Sequence, residues 1–249
     1  MDKKIKINTH SSIRINDGGK VFYFDPFNLE GRYSDADYIF VTHDHYDHLD
    51  PKSISNVRKS DTKFICPKSI VKTFLSDCGI KDRSSVIEVN PGDKVDIETN
   101  IAIKVVPAYN IDKKFHKKEY NWVGYILNVG GFRYYVAGDT DVTEEAKVVS
   151  CDVALVPIGG TYTMTCEEAA ELINKIRPKI AIPTHYGSIV GEEELGKKFL
   201  SLIDTEIEAK ELIDFEGGGI FSSMLTDNNT PVLCVKLPCS KSYMDMRDY

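Results

Sequence analysis

An apolar run, YIFV at 38–41, breaks directly into THDHYDH. Three of the chain's six histidines and two aspartates fall within residues 43–48. No other stretch constrains the fold as much. A buried strand has to end where polar groups can gather, and histidine favours no secondary structure strongly enough to explain the clustering. In extended chain, residues i and i+2 point to the same side, so His43 and His45 stand side by side to hold one metal ion. Asp47 and His48 come after the chain turns toward a helix and face a second ion. Imidazole and carboxylate together suit zinc, iron or manganese. A polar loop with incidental histidines is the alternative, and the density of donors after a buried strand speaks against it.

Further ligands should also follow strands. Asp139, in AGDTD, comes after the apolar run FRYYVA, and a carboxylate there can bridge two cations. His185, in IPTHYG, ends KIAIP. Each is weak evidence alone, and together they repeat the strand-end placement.

The rest of the chain begins rich in β and then alternates. KIKIN, SIRIN and KVFYFDP read as antiparallel strands, with Asp17-Gly18-Gly19 turning the second hairpin. YIFVTH, 38–43, reads as a strand, and Asp50-Pro51 as an N-cap with proline in the first turn of a helix through ISNVRK. FICP, a helix in SIVKTFLSD, and strands in VIEVN, KVDIE and IAIKVVPAY follow. Residues 110–120 read as a polar loop. NWVGYILNV and FRYYVAGD form a hairpin about Gly130-Gly131, and DVALVPI is a buried strand. Thr165 to Glu168 makes a capping box for the helix EEAAELINKI, and GEEELGKKFLSLI reads as an amphipathic helix. Residues 1–214 are expected to form one domain. Residues 215–249 form an extension, expected as a strand hairpin on the same domain or at a dimer contact.

Charge and composition narrow the function. A net charge of −7 disfavours nucleic acid as a partner, because phosphate binding leaves a basic footprint. A small anionic substrate stays open, since a metal centre can hold it locally. No apolar stretch of about 18 residues or signal-like N-terminus occurs, so no membrane association is expected. The six cysteines, without a CxxC pair, read as reduced buried thiols of a cytoplasmic protein.

H-x-H-x-D-H at 43–48, GDTD at 138–141 and PTHY at 183–186 together resemble the metallo-β-lactamase superfamily. The likeness runs over roughly residues 5–205. VALVPIGGTYTM, EEAAELINKIRPKIAIPTHYG, the early His10-Ser11-Ser12 and Asp25-Pro26 resemble its branch of small metal-dependent hydrolases that includes L-ascorbate-6-phosphate lactonase. The resemblance implies an α/β fold, a four-layer αββα sandwich with metals at one edge of two sheets. It implies that His43 and His45 hold a first ion, that Asp47, His48 and His185 hold a second, and that Asp139 bridges them. The family's third histidine for the first ion belongs between residues 100 and 115, where Asn110 stands instead. His116 is then a replacement ligand, a proton donor facing substrate, or a plain surface histidine. His10, Asp25 and Asp141 are expected behind the ligands, or, for His10, in ordinary packing. Tyr109, Trp122 and Tyr162 are candidates for the pocket wall.

The expected cofactor is one or two divalent ions, zinc first, with manganese or iron as alternatives. The expected reaction is hydrolysis of a lactone, ester, amide or phosphodiester in a small polar or anionic metabolite by a metal-activated hydroxide, with Asp47, Asp139 or His116 moving the proton. Competing readings are an iron-dependent oxidoreductase on the same fold, an RNA or DNA phosphodiesterase, and a non-catalytic binding protein. A homo-oligomer is compatible with the exposed sheet edges and the C-terminal strands.

Overall fold

The structure is a computed structural model that describes residues 5–213. The expectations for 215–249 and for Cys234 and Cys239 lie outside the described residues. Six strands make a first sheet in sequence order: β1 Ile5–Ile7, β2 Ile13–Asp17, β3 Lys20–Phe24, β4 Ala36–Phe40, β5 Arg58–Pro67 and β6 Val86–Val89. Pairing is antiparallel from β1 to β3 and parallel from β3 to β6. Seven strands make the second: β7 Lys94–Glu98, β8 Ile101–Pro107, β9 Val123–Val129, β10 Phe132–Val136, β11 Val153–Pro157, β12 Ile180–Thr184 and β13 Glu208–Ala209. It too begins antiparallel and turns parallel, the change falling between β10 and β11.

Strand periodicity explains the layering. Phe22 and Phe24, and Tyr38 and Phe40, share the inner face of the first sheet and pack in one cluster with Val105, Tyr125 and Leu127 of the second. Phe40 and Tyr125 meet edge to face at 5.1 Å. The alternate residues Tyr23, Ile39 and Val41 face outward, where Ile54 and Val57 of α1 (Pro51–Val57) and Val71 and Phe74 of α2 (Val71–Asp77) cover them. On the far side α3 (Cys166–Ile176) and α4 (Leu195–Leu202) bury Ala169, Leu172, Ile173 and Phe199 against the second sheet. Strands buried on both faces need such helical covers. The result is the expected αββα sandwich.

The capping signals hold in detail. Asp50 accepts the amide of Lys52, with Pro51 at the first helical position. The Thr165–Glu168 capping box is complete. Both hairpin turns need two residues at positive φ, which Gly18-Gly19 and Gly130-Gly131 supply.

Three boundaries differ from the sequence reading. The helix through ISNVRK stops at Val57, because Arg58 already pairs with Ala36 as β5 begins. The strand YIFVTH ends at Phe40, so His43 lies past the sheet rather than within it. The last helix starts at Leu195, after a turn at Glu193 and Glu194.

Gly124 in β9 has no room for a side chain. A Cβ there would meet the carbonyl oxygens of Ala137 and Val136, the latter at 2.7 Å. Both are backbone atoms in the strand exit leading to Asp139. Gly124→Ala should therefore destabilise the metal-free protein by about 1–3 kcal/mol, read as a lower urea midpoint at unchanged slope. An unchanged midpoint would show that this strand exit yields freely.

Candidate metal centre

Strands β8, β10 and β12 run in the same direction, so their chains leave the second sheet at one edge. There the strand exits carry Asn110, Asp139 and His185, and the 41–50 loop after β4 meets them from the first sheet. Within that loop the amides of His48 and Leu49 both donate to the His45 carbonyl, the turn that swings Asp47 and His48 away from His43.

Three sets of donor atoms converge: His43, His45 and His116; His10, Asp47, His48 and His185; and His43, His48 and Asp139. Within each set all ligand atoms lie within 4.8 Å of one another. Asp139 is the junction. Its Oδ1 is 3.3 Å from His48 Nε2, and its Oδ2 is 3.3 Å from His116 Nε2 and 2.9 Å from His185 Nε2. His43 Nε2 and His45 Nδ1 are 3.0 Å apart.

The electrostatics suit a cation. Asp25, Asp47 and Asp139 are all buried, and every ion pair they form is with a histidine. Burial opposes ionisation of Asp139, yet the imidazoles of His185, His48 and His116 around it hold its carboxyl well below the usual range. Burial likewise opposes a charge on His48, but Asp139, Asp47 and Asp25 raise its imidazole well above the ordinary value. Burial and the neighbouring histidines hold His43 well below its usual value. Burial, aided by His116 and His48, lowers His45 to about 4, so these two imidazoles present lone pairs at neutral pH.

Six buried side-chain atoms lack a hydrogen-bond partner among the described residues: His48 Nε2, His116 Nε2, Asp139 Oδ1, both ring nitrogens of His185, and Asn110 Oδ1. All lie in this cluster. Leaving such an atom unpaired costs about 1–3 kcal/mol, and a native protein accepts that where an ion or a reaction needs it. The donors fit one or two divalent cations.

Other groups fix these donors in place. Asp25 accepts from the Thr42 amide at 2.8 Å and the Thr42 hydroxyl at 2.6 Å, and pairs with His48 Nδ1 at 2.7 Å, turning Nε2 toward Asp139. His10 Nε2 lies 3.0 Å from Asp47 Oδ2, and its ring lies tilted against that of His185, with centroids 3.7 Å apart. The His10 carbonyl accepts the His185 amide at 2.9 Å. His10, Asp25, His116 and His185 all adopt positive φ, between 43° and 58°. Non-glycine residues pay about 1–3 kcal/mol for unfavourable backbone of this kind, which persists where the surroundings over-determine it.

The structure brings together all six residues expected as ligands and adds His116. Only 2 % exposed, His116 is not the surface residue that its lysine-flanked setting suggests. Asn110 is fixed through its nitrogens, while its Oδ1 is one of the unpartnered atoms. Its Nδ2 donates to the Tyr162 carbonyl at 2.6 Å and stands 3.2 Å from His116 Nδ1, while its amide donates to the His116 carbonyl at 2.7 Å. Asp141 accepts from the Ile111 amide at 2.8 Å and from Lys113 Nζ at 2.5 Å, tying down the same loop. Trp122 packs on His43, His45 and His116 at 4.7–5.3 Å. The Tyr109 hydroxyl is turned to Glu145 and Lys118. Sequence reasoning overlooked Thr42, Lys113 and Phe27. Thr42 had a signal, being a hydroxyl directly before the first histidine. Lys113 and Phe27 had none.

The arrangement can be set beside known proteins. A model of the beta-lactamase superfamily domain matches residues 5–186. A metal-dependent hydrolase of Thermoplasma volcanium is 31 % identical over 200 residues, covering 76 % of this chain and 85 % of its own. The crystal structure of a provisionally assigned metal-dependent hydrolase from Parabacteroides distasonis superposes with a TM-score of 0.70 at 32 % identity, covering 84 % of this chain and 93 % of that one. A metallo hydrolase from Ignicoccus hospitalis shares the fold at 24 % identity and a TM-score of 0.67, over 84 % of this chain and 94 % of its own.

Proposed function

The chain belongs to the beta-lactamase superfamily and is a metal-dependent hydrolase, and we propose that it works with two ions at the edge described above. His43, His45 and His116 would hold the first, Asp47, His48 and His185 the second, with Asp139 between them. The observation that supports this most directly is His116. Its donor atom lies within 4.8 Å of those of His43 and His45, and its Nε2 stands 3.3 Å from Asp139 Oδ2, which supports it as a replacement ligand. Bound there, divalent ions, zinc first, would supply Lewis acidity and water activated near neutral pH.

The chain's own groups divide the remaining work. Asp25 and Thr42 orient His48. His10 Nε2, 3.0 Å from Asp47 Oδ2, would hold the Asp47 carboxylate in orientation as a ligand. Asn110, Lys113 and Asp141 hold the loop that presents His116. Trp122 shields the histidines from bulk solvent on one side. The substrate would be a small molecule with a polar or anionic hydrolysable group, a lactone, ester or phosphodiester.

No helix among the described residues is long and apolar enough to cross a membrane. Cys66, Cys78, Cys151 and Cys166 are unpaired and buried. Burial pushes the first three thiols up to about 12, where they are inert. Reduced thiols support a cytoplasmic site of action.

Metal analysis of untagged protein tests the reading. Two ions per chain are expected, with chelator-sensitive, zinc-restorable turnover on a panel of lactones, esters and phosphodiesters. No metal after repletion would overturn it. Two irons with oxygen consumption and no hydrolysis would replace it with the oxidoreductase reading.

A further inference from the structure

Among the described residues the exposed large apolar side chains are Tyr46, Ile111, Phe115, Val148 and Leu202. Three of these five sit on two of the loops that carry the donor cluster. Tyr46, 55 % exposed, lies between His45 and Asp47, and Phe115, 37 % exposed, directly precedes His116. The rings of His45 and His116 are 4.7 Å apart, so Tyr46 and Phe115 rise from neighbouring points of one donor group.

Each also has an aromatic partner. Tyr46 meets Phe27 edge to face at 6.2 Å, and Phe27 stands 6.4 Å from His10. Phe115 meets Tyr162 edge to face at 5.2 Å, and the Tyr162 carbonyl accepts the Asn110 amide. One pair is thus linked to the His10, Asp47 and His185 side and the other to the His116 side. Scattered apolar residues on a surface need no explanation. Apolar residues arranged in pairs around a compact polar centre have the layout of a small-molecule site, with apolar walls and a few fixed polar groups.

We infer that the substrate carries an aryl or branched-alkyl group beside the bond that is cut, seated on Tyr46 and Phe115. The inference rests on the hydrolase reading above and adds an apolar arm to its polar head. Phe27 and Tyr162 back the two contact rings, so the walls are in place before the substrate arrives. The polar head would lie over the donor cluster and the arm would cover the exposed rings.

Calorimetric titration of zinc-replete protein with phenylphosphonate and with methylphosphonate tests this. Both carry the same metal-seeking head, and only one has the arm. Phenylphosphonate should bind at least about tenfold tighter, equivalent to ~1.4 kcal/mol. The gap should close to about twofold when Tyr46→Ala and Phe115→Ala are combined, and persist in Leu202→Ala, which alters an exposed apolar residue on α4. Zinc content is measured on every variant, and Tyr46→Ser replaces Tyr46→Ala if alanine lowers it. Equal affinities in the wild type, binding of neither phosphonate, or a preference that survives the double change overturns the inference. A zinc-loaded protein that prefers phenylphosphonate yet hydrolyses nothing on the panel would sink the hydrolase reading and leave the apolar arm standing. A protein that takes up no zinc would sink both.

Discussion

Asp139→Ala should remove both ions and lower kcat/KM by at least ~10³-fold, about 4 kcal/mol of transition-state stabilisation. The size follows from position. Asp139 approaches His48, His116 and His185 at 2.9–3.3 Å, so it touches both proposed donor sets. Its loss also leaves His48 with less counter-charge in a buried setting, and removing one partner of a buried ion pair is costly. Asp139→Asn keeps the shape and removes only the charge, so it should lose metal without opening a cavity. Retention of two ions and of turnover in both variants would mean that Asp139 bridges nothing.

His116→Ala should lower metal content from two ions to one, with a fall of at least ~10²-fold in kcat/KM, about 2.7 kcal/mol. His43 and His45 alone would leave the first ion two imidazoles and a shared carboxylate. The second set, Asp47, His48 and His185, is untouched by the change, so the remaining ion should keep its affinity. Asn110→Ala should do less, weakening the first ion by about 10–100-fold, as expected for a group that orients a ligand. Metal analysis after graded chelation reads both. Two ions of wild-type affinity in His116→Ala would return His116 to the role of proton donor. Loss of both ions would show that the two sets are not separable.

Much of the centre was legible because it obeys local rules. His43, His45, Asp47 and His48 lie within one turn of chain, and Asp139 and His185 follow strands whose apolar pattern is plain. The N-cap at Asp50, the capping box at Thr165 and the paired glycines of the hairpins follow the same logic. They depend on neighbours a few residues away. The boundary errors arose where pairing across the sheet outweighed local preference, as at Arg58, drawn into β5 by Ala36.

The sequence by itself determined which donor chemistry this protein carries and that it would be delivered from strand ends. Periodicity tells which residues a strand buries, and so where a strand must stop. Only the tertiary structure decided that His116, six residues beyond Asn110, comes together with His43 and His45. That choice depends on the path of a polar loop, held by Asn110 to Tyr162, by Lys113 to Asp141, and by a left-handed backbone at His116. It likewise decided that His10 reaches Asp47 across 37 residues and that Phe27 and Tyr46 pair at the rim. Loop paths and long-range contacts are set by packing of the whole sandwich, and no short-range pattern records them.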